Sequence, residues 1–277
     1  MIKALSPYPD RLKAHLATYK RTVLGIHEDG TWSRNGKSYS HILPAAQQDL
    51  NFISLSRDLT VKYLAERPHI QRHRDFHHLN SSQAMCINLM YPLLFSNEAC
   101  AAVSEHLQLP SQIDPVTASF EWIPEPSEGT NFDFFARTVG GESVYFEFKL
   151  SESEFGRATA DTRHLDKLKD IYAPRLRALV HESHLQPEHF FRRYQLFRNL
   201  SYLADQRATL VLVMPRGHVK LASQAKAFVA GLNDETKARV RIAYMEDLSS
   251  AMLDATPLNS SSLRNHLQEF QMKYSIA

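Results

Sequence analysis

A glycine pair set between two apolar runs constrains this chain more than any other stretch. Residues 131–150 read NFDFFARTVGGESVYFEFKL, with Gly140-Gly141 between the runs and acid in each run where a buried strand would be apolar. In the second run Val144, Phe146, Phe148 and Leu150 alternate with Tyr145, Glu147 and Lys149. Side chains two apart share a face of a strand, so Glu147 and Lys149 point together, away from the four apolar residues. Phe132 and Phe134 flank Asp133 in the same manner.

Register decides whether the two acids meet. A two-residue loop at Gly140-Gly141 sets Asp133 opposite Phe148, on the wrong face. A three-residue loop, 139–141 with Gly141 left-handed, sets it opposite Glu147, and such loops want glycine there. The two β-carbons then lie about 4.5–5.5 Å apart. Like charges at that range destabilise a sheet unless a cation sits between them. The expectation is that Asp133 and Glu147 share a divalent metal with Lys149 beside it; the plainer alternative is a solvated salt-bridge face.

Composition sets the wider limits. At 277 residues, 43% hydrophobic and 22% charged, the chain suits one large globular domain, or one domain with an elaborated end. A net charge of +2, from 32 basic and 30 acidic residues, gives no global basic field, so nucleic-acid binding needs local patches. Cys86 and Cys100 would be about 21 Å apart on one helix, beyond disulfide reach, and read as reduced thiols. The start of the chain lacks the apolar core of a signal peptide. The longest apolar run, 210–214, is too short to cross a bilayer. A cytoplasmic protein is expected.

Residues 1–80 read as a mostly helical accessory region, and 81–277 as the core. Asp10 is placed to cap a helix carrying Leu12, Leu16 and Tyr19. Residues 27–40 are turn-rich, with Asp29-Gly30 and Asn35-Gly36 as hairpin signals, and helix resumes near Leu50 and over 59–66. The stretch 67–82, RPHIQRHRDFHHLNSS, is either a solvated loop or a phosphate-contacting strip. Residues 83–107 form a helix or helix pair broken at Pro92. On it Gln83 and Asn88 either line a site or are hydrogen-bonded in the interior.

Residues 118–123 alternate as a strand leading into the hairpin. Helices follow over 165–180, interrupted by Pro174, and over 188–206. ATLVLVM, 208–214, reads as a strand buried on both faces. A helix over 221–232, a strand over 240–245 and a closing helix over 263–274 complete the chain. The predicted fold class is α/β: a mixed central sheet, a three-strand antiparallel meander plus further strands, flanked by helices, with a mostly helical N-terminal extension.

Magnesium typically takes one or two carboxylates, then water and substrate phosphate. Asp133, Glu147 and the backbone carbonyl of Phe148 supply such a set. A metal there lowers the pKa of a bound water, and Lys149 can orient that water or stabilise the transition state. Asp133, followed after a short hairpin by Glu147-Phe148-Lys149, resembles the PD-(D/E)XK nuclease superfamily, the restriction-endonuclease-like fold. The superfamily's order of helix, three-strand meander, helix and strand matches 83–214. Its polar helix after the meander matches Gln195, Arg198 and Asn199, spaced i, i+3, i+4 on one face.

More narrowly, the whole is similar to a group of bacterial restriction-type endonucleases. The likeness covers about half the chain and leaves out the N-terminal 80 residues. It departs before Asp133, where Asn131-Phe132 stand in place of a proline. The resemblance implies a magnesium-dependent hydrolase, manganese able to substitute, that cuts DNA with a metal-activated water. Asp133 and Glu147 would hold the metal, Lys149 would position the nucleophile, and Gln195 would orient Lys149 or a phosphate. Glu121, between Phe120 and Trp122, is preferred as a third acid over Glu98 or Glu105. Arg192, Arg193, Arg198 and Asn199 would contact the nucleic acid. Restriction-like enzymes often dimerise, so a homodimer is compatible. The rival reading is a non-catalytic nucleic-acid-binding or assembly protein that retains the fold.

Overall fold

The computed structural model describes residues 6–276. Residues 1–5, which begin the stretch read as free of a signal peptide, lie outside the described residues. Helix α1 (Tyr8–Thr22) follows Pro7, and Asp10 sits inside its first turn rather than capping it. A small hairpin, β1 (Gly30–Trp32) and β2 (Lys37–Tyr39), and helix α2 (Arg57–Ala65) come next. Fully buried Lys20 ties α1 to the hairpin, donating to Asp29 Oδ1 at 3.0 Å and to the Glu28 and Ile42 carbonyls at 2.7 and 3.0 Å.

Helix α3 (Ser82–Met90) is capped by Ser81, whose hydroxyl accepts from the Ala84 N–H. Helix α4 (Asn97–His106) is capped in the same way by Ser96. Pro92 opens a 3-10 turn between them, so the helix restarts there. Cys86 and Cys100, one on each helix, are buried and unpaired.

The antiparallel meander is β3 (Ile113–Trp122), β4 (Phe132–Thr138) and β5 (Ser143–Phe148). β3 begins ahead of the 118–123 alternation because its register shifts between Asp114 and Ser119, which breaks the period of two. Arg137 pairs with Ser143, and the Thr138 N–H donates to the Glu142 carbonyl at 2.9 Å. That leaves 139–141 as the loop, with Gly141 at φ +86°. The three-residue turn forms as expected.

The crossover from β5 runs through short pieces, α5 (Thr162–Lys167), α6 (Ala173–Leu176), α7 (Pro187–Phe190) and α8 (Tyr194–Leu200). A π-helical turn over Leu168–Tyr172 joins α5 to α6, so the helix read over 165–180 is continuous to Leu176, whereas the one read over 188–206 divides into α7, α8 and 3-10 turns. Pro174 and Pro187 stand at the starts of α6 and α7, since a proline fits the first turn and breaks an interior one. Strand β6 (Ala208–Met214) lies parallel to β5 and is buried throughout. Helices α9 (Val219–Ala230) and α10 (Asp234–Lys237) lead to β7 (Val240–Tyr244), parallel to β6. Helix α11 (Met245–Ala255), absent from the sequence reading, and α12 (Ser261–Tyr274) close the chain.

The five-stranded mixed sheet runs β3-β4-β5-β6-β7 between two apolar layers. On one face Phe134, Phe146 and Phe148 join a cluster with Leu16, Leu89 and Phe270, from α1, α3 and α12. The N-terminal helix is therefore built onto the sheet's own core. On the other face Tyr145, Leu212 and Met214 meet Tyr172, Phe197 and Phe228 from the crossover and α9. Among the described residues no helix is long and apolar enough to cross a membrane.

Candidate active site

The ladder aligns three acids in one row across the sheet. Phe120 pairs with Phe134 and Trp122 with Phe132, which sets Glu121 opposite Asp133. Phe134 pairs with Phe146, the last recorded pair of that ladder, and just beyond it Asp133 accepts the Phe148 N–H and feels the charge of Glu147. Glu147 in turn pairs with Leu212. The row lies at the C-terminal end of β5, where the parallel part of the sheet stops and ligand crevices of α/β sheets form.

Regular pleating fails at this row. Glu121 has φ +51°, a conformation non-glycine residues seldom adopt and one that costs about 1–3 kcal/mol. Side-chain alternation inverts beyond it: Trp122 stacks on Phe135 at 4.9 Å, and Phe132 packs on Tyr145 at 4.5 Å. Phe132 thus enters the second layer, and the expectation that it shares a face with Phe134 is corrected. Glu121 meets α3, where Gln83 Nε2 donates to its Oε1 at 2.7 Å. Asn131 Nδ2 donates to the other oxygen. Asn131, two residues before Asp133, therefore holds an acid.

Asp133 is half-buried, and its Oδ2 accepts the Phe148 N–H at 2.6 Å. The ring of Phe148 is fully buried in the first layer. Glu147 is 1% exposed. Its Oε1 accepts from Lys149 Nζ at 2.5 Å and Gln195 Nε2 at 2.7 Å, and its Oε2 from Asn199 Nδ2 at 2.8 Å. Three of about four lone-pair positions are thereby used.

Charge in the row is unbalanced. Burial first, then the charge of Glu147, pushes the Asp133 carboxyl well above its ordinary range; Glu121 adds to this, and Lys149 and the Phe148 N–H oppose it. Burial also raises Glu121, against the hydrogen bonds from Gln83 and Asn131. For Lys149 burial works against the charged form, but Glu147, Glu152 and Asp133 overcome it, and its pKa is raised. Cys86 Sγ lies 3.6 Å from the Asp133 carbonyl. Burial, then the three acids, pushes its thiol pKa up, which leaves it protonated.

Gln195 and Asn199 reach the row as a pair, and Arg198 does not. Its guanidinium lies over the Tyr194 ring at 5.6 Å. Asn199 is fully buried, so it braces Glu147 and is not positioned to meet a nucleic acid. Arg192, exposed, and Arg193, half-buried, line a groove of about 700 Å³ with Arg157 and Lys220. Gly156 joins this groove to the row: at φ +90°, a Cβ on it would meet Gln195 Oε1 at 2.9 Å. Glu98 and Glu105 are exposed on α4. Gln83 was legible as a polar residue on an otherwise apolar helix, and Asn131 only as part of the Asn131-Phe132 departure ahead of Asp133.

The donor set fits an oxygen-seeking cation. Among the described residues no three His, Cys, Asp or Glu side chains converge on one point, but magnesium needs only one or two carboxylates. Three acids share the row with one ammonium, an excess that a divalent ion neutralises. Asn131 and Asn199 each keep a buried amide oxygen with no hydrogen-bond partner, on side chains that already grip Glu121 and Glu147.

No match was found among curated proteins or among solved structures. A family model described as "Restriction Endonuclease associating with ARP" matches residues 13–275. The match takes in most of the N-terminal region as well as the row of acids. It spans nearly the whole chain, and the chain belongs to this restriction-endonuclease family.

Proposed function

We propose that the chain is a magnesium-dependent nuclease that hydrolyses DNA phosphodiester bonds in the cytoplasm. The observation that carries this reading is the row Glu121–Asp133–Glu147 at a strand end with Lys149 beside it. The same row supports the narrower likeness to the PD-(D/E)XK nucleases. Asp133 and Glu147, with the Phe148 carbonyl as a further hard donor, would hold the magnesium, for which manganese would substitute. When bound, the ion supplies Lewis acidity at a phosphoryl oxygen and activates water.

The chain's own residues do the rest. Glu147 is fixed by Gln195 and Asn199, so its carboxylate keeps one orientation. Lys149 is held as an ammonium by its acidic neighbours, so it orients the attacking water or stabilises the phosphorane, and does not take a proton. Hydrolysis joins the water oxygen to phosphorus and breaks the ester bond to the leaving sugar oxygen. Arg192 and Arg193 supply phosphate contacts along the groove.

A second reading, a non-catalytic nucleic-acid-binding or assembly protein, is favoured by one specific observation. Both oxygens of Glu147 already have donors from the chain itself. The family's description, which speaks of association with ARP, is compatible with it. Supercoiled plasmid incubated with magnesium, manganese or chelator separates the two. The nuclease nicks in both metal lanes and not with chelator, and Lys149→Ala slows nicking by about 10²–10³-fold. Intact plasmid in every lane would favour the binding reading.

A further inference from the structure

The arginine–histidine stretch of the N-terminal region is fastened to the row of acids through one side chain. Gln83 is 2% exposed. Its Oε1 accepts the His73 N–H at 2.8 Å, and its Nε2 donates to the Gln71 carbonyl at 2.9 Å and to Glu121 Oε1 at 2.7 Å. One amide therefore joins the backbone of the stretch to the acid of the edge strand. The inner side of the stretch is pinned elsewhere. Arg72 is paired with Asp49 and lies over the rings of Phe52 and Phe76 at 5.2 and 5.3 Å, and Ile70 is buried.

The outer side carries two arginines and two histidines. Arg74 keeps a side-chain exposure of 72%, with its neighbour Asp75 at 3.9 Å. His69 and His73 are exposed. Arg67 is stacked on Tyr63 at 3.8 Å and paired with Glu66 at 3.6 Å, with 39% of its side chain exposed. At the Glu147 end of the row stands the groove of Arg192, Arg193 and Lys220, in which Arg157 is paired with Glu154. Basic groups therefore stand at both ends of a row of acids that would by itself repel a polyanion.

We propose that residues 67–74 form the second wall of the substrate cleft, with Gln83 as the positioning residue that sets this wall in register with Glu121. The substrate class is a polynucleotide that lies across the row, with phosphates held on both sides of the bond to be cut. A mononucleotide would need only one flank. The proposal rests on the nuclease reading of the row, and it assigns a function to the stretch that could equally have been a solvated loop.

Two variants and two measurements test it. Binding of a labelled DNA duplex is followed by anisotropy in chelator across a salt series, and steady-state cleavage is followed with magnesium. Arg74→Ala, at an exposed position, is expected to weaken duplex binding about 5- to 10-fold and to flatten the log–log salt slope by about 1, one phosphate contact. Gln83→Leu, close in size, is expected to raise KM and lower kcat together, because it frees the wall and loosens Glu121.

A Gln83→Leu enzyme that only melts earlier, with KM and kcat unmoved, would show a structural role and overturn the positioning assignment. Unchanged affinity and salt slope in Arg74→Ala, in a wild type that cleaves, would overturn the second wall and leave the nuclease reading intact. A wild type that binds but does not cleave ends the nuclease reading, and with it the cleft. A wild type that neither binds nor cleaves ends both.

Discussion

Helix α3 touches two buried polar knots of opposite character. Near its start Gln83 meets the row of acids; near its end Asn88 enters a sealed knot. There Asn88 accepts the Ile53 N–H at 3.0 Å and donates to the Asn51 carbonyl at 2.9 Å and the Tyr274 hydroxyl at 3.0 Å. His266 Nε2 bonds the Asn88 carbonyl at 2.8 Å, and Lys273 Nζ donates to the carbonyl and side-chain oxygens of Asn51 at 2.5 and 2.8 Å. The acceptors are neutral. Each knot contains one buried lysine, and the two lysines shift in opposite directions. Acidic neighbours hold Lys149 charged, whereas burial brings Lys273 down to about 7. Buried polarity alone therefore does not mark a site. What separates the row is its uncancelled like charge.

Asp133→Asn strikes the contrast hardest. It removes a proposed metal ligand, so plasmid cleavage falls by about 10³-fold or more, several kcal/mol of transition-state stabilisation. Stability moves the other way. The folded carboxyl is raised above its ordinary 3.8, so ionising it at neutral pH costs the folded state. The variant's melting temperature is expected to hold or rise. If melting fell along with activity, the row would be a structural knot like the other.

Asn88→Leu probes the sealed knot. It strands the Ile53 N–H and the Tyr274 hydroxyl in an apolar interior, at a cost of about 3 kcal/mol. Denaturant unfolding is expected to register that loss while kcat of the folded fraction stays at the wild-type value. A fall in kcat at full folding would mean that the two ends of α3 are coupled and would erase the distinction.

The two knots also differ in how far the sequence disclosed them. Gly140-Gly141 dictates the turn, the turn dictates the register, and so the meeting of Asp133 with Glu147 was readable from residues less than twenty apart. Gln195 was legible only through the resemblance, as one of the trio Gln195, Arg198 and Asn199 spaced along one helical face. The inversion at Glu121 was not. It follows from the strained backbone there and from the way Trp122 and Phe132 settle into the second layer, and nothing local encodes either. Tertiary packing likewise decided that 188–206 would break into α7, α8 and intervening 3-10 turns. In the sealed knot Asn51, Asn88, His266 and Lys273 come from four distant segments, so no window of sequence contains the arrangement. Helix α11 is hidden for a simpler reason: Met245 completes the apolar pattern of the strand before it, while Leu248 and Met252 continue its helical stripe.

A pH-dependent effect isolates the lysine of the sealed knot. Lys273 titrates near about 7 in the folded chain against an ordinary 10.5, because burial outweighs the favourable charge of Glu269, with Arg57 adding to the depression. Below about pH 7 both folded and unfolded chains carry the proton, and this residue's contribution is flat and at its least favourable. From about pH 7 to pH 10.5 the unfolded chain binds a proton that the folded chain has released, so stability rises with pH. The slope from this one group is at most about 1.4 kcal/mol per pH unit. Lys273→Met fills similar space and does not titrate. Unfolding free energies of wild type and variant, measured from about pH 6.5 to 9.5, are expected to converge as pH rises, with the variant ahead at the acid end. Parallel curves would place a charged partner beside Lys273 and make its knot resemble the row of acids after all.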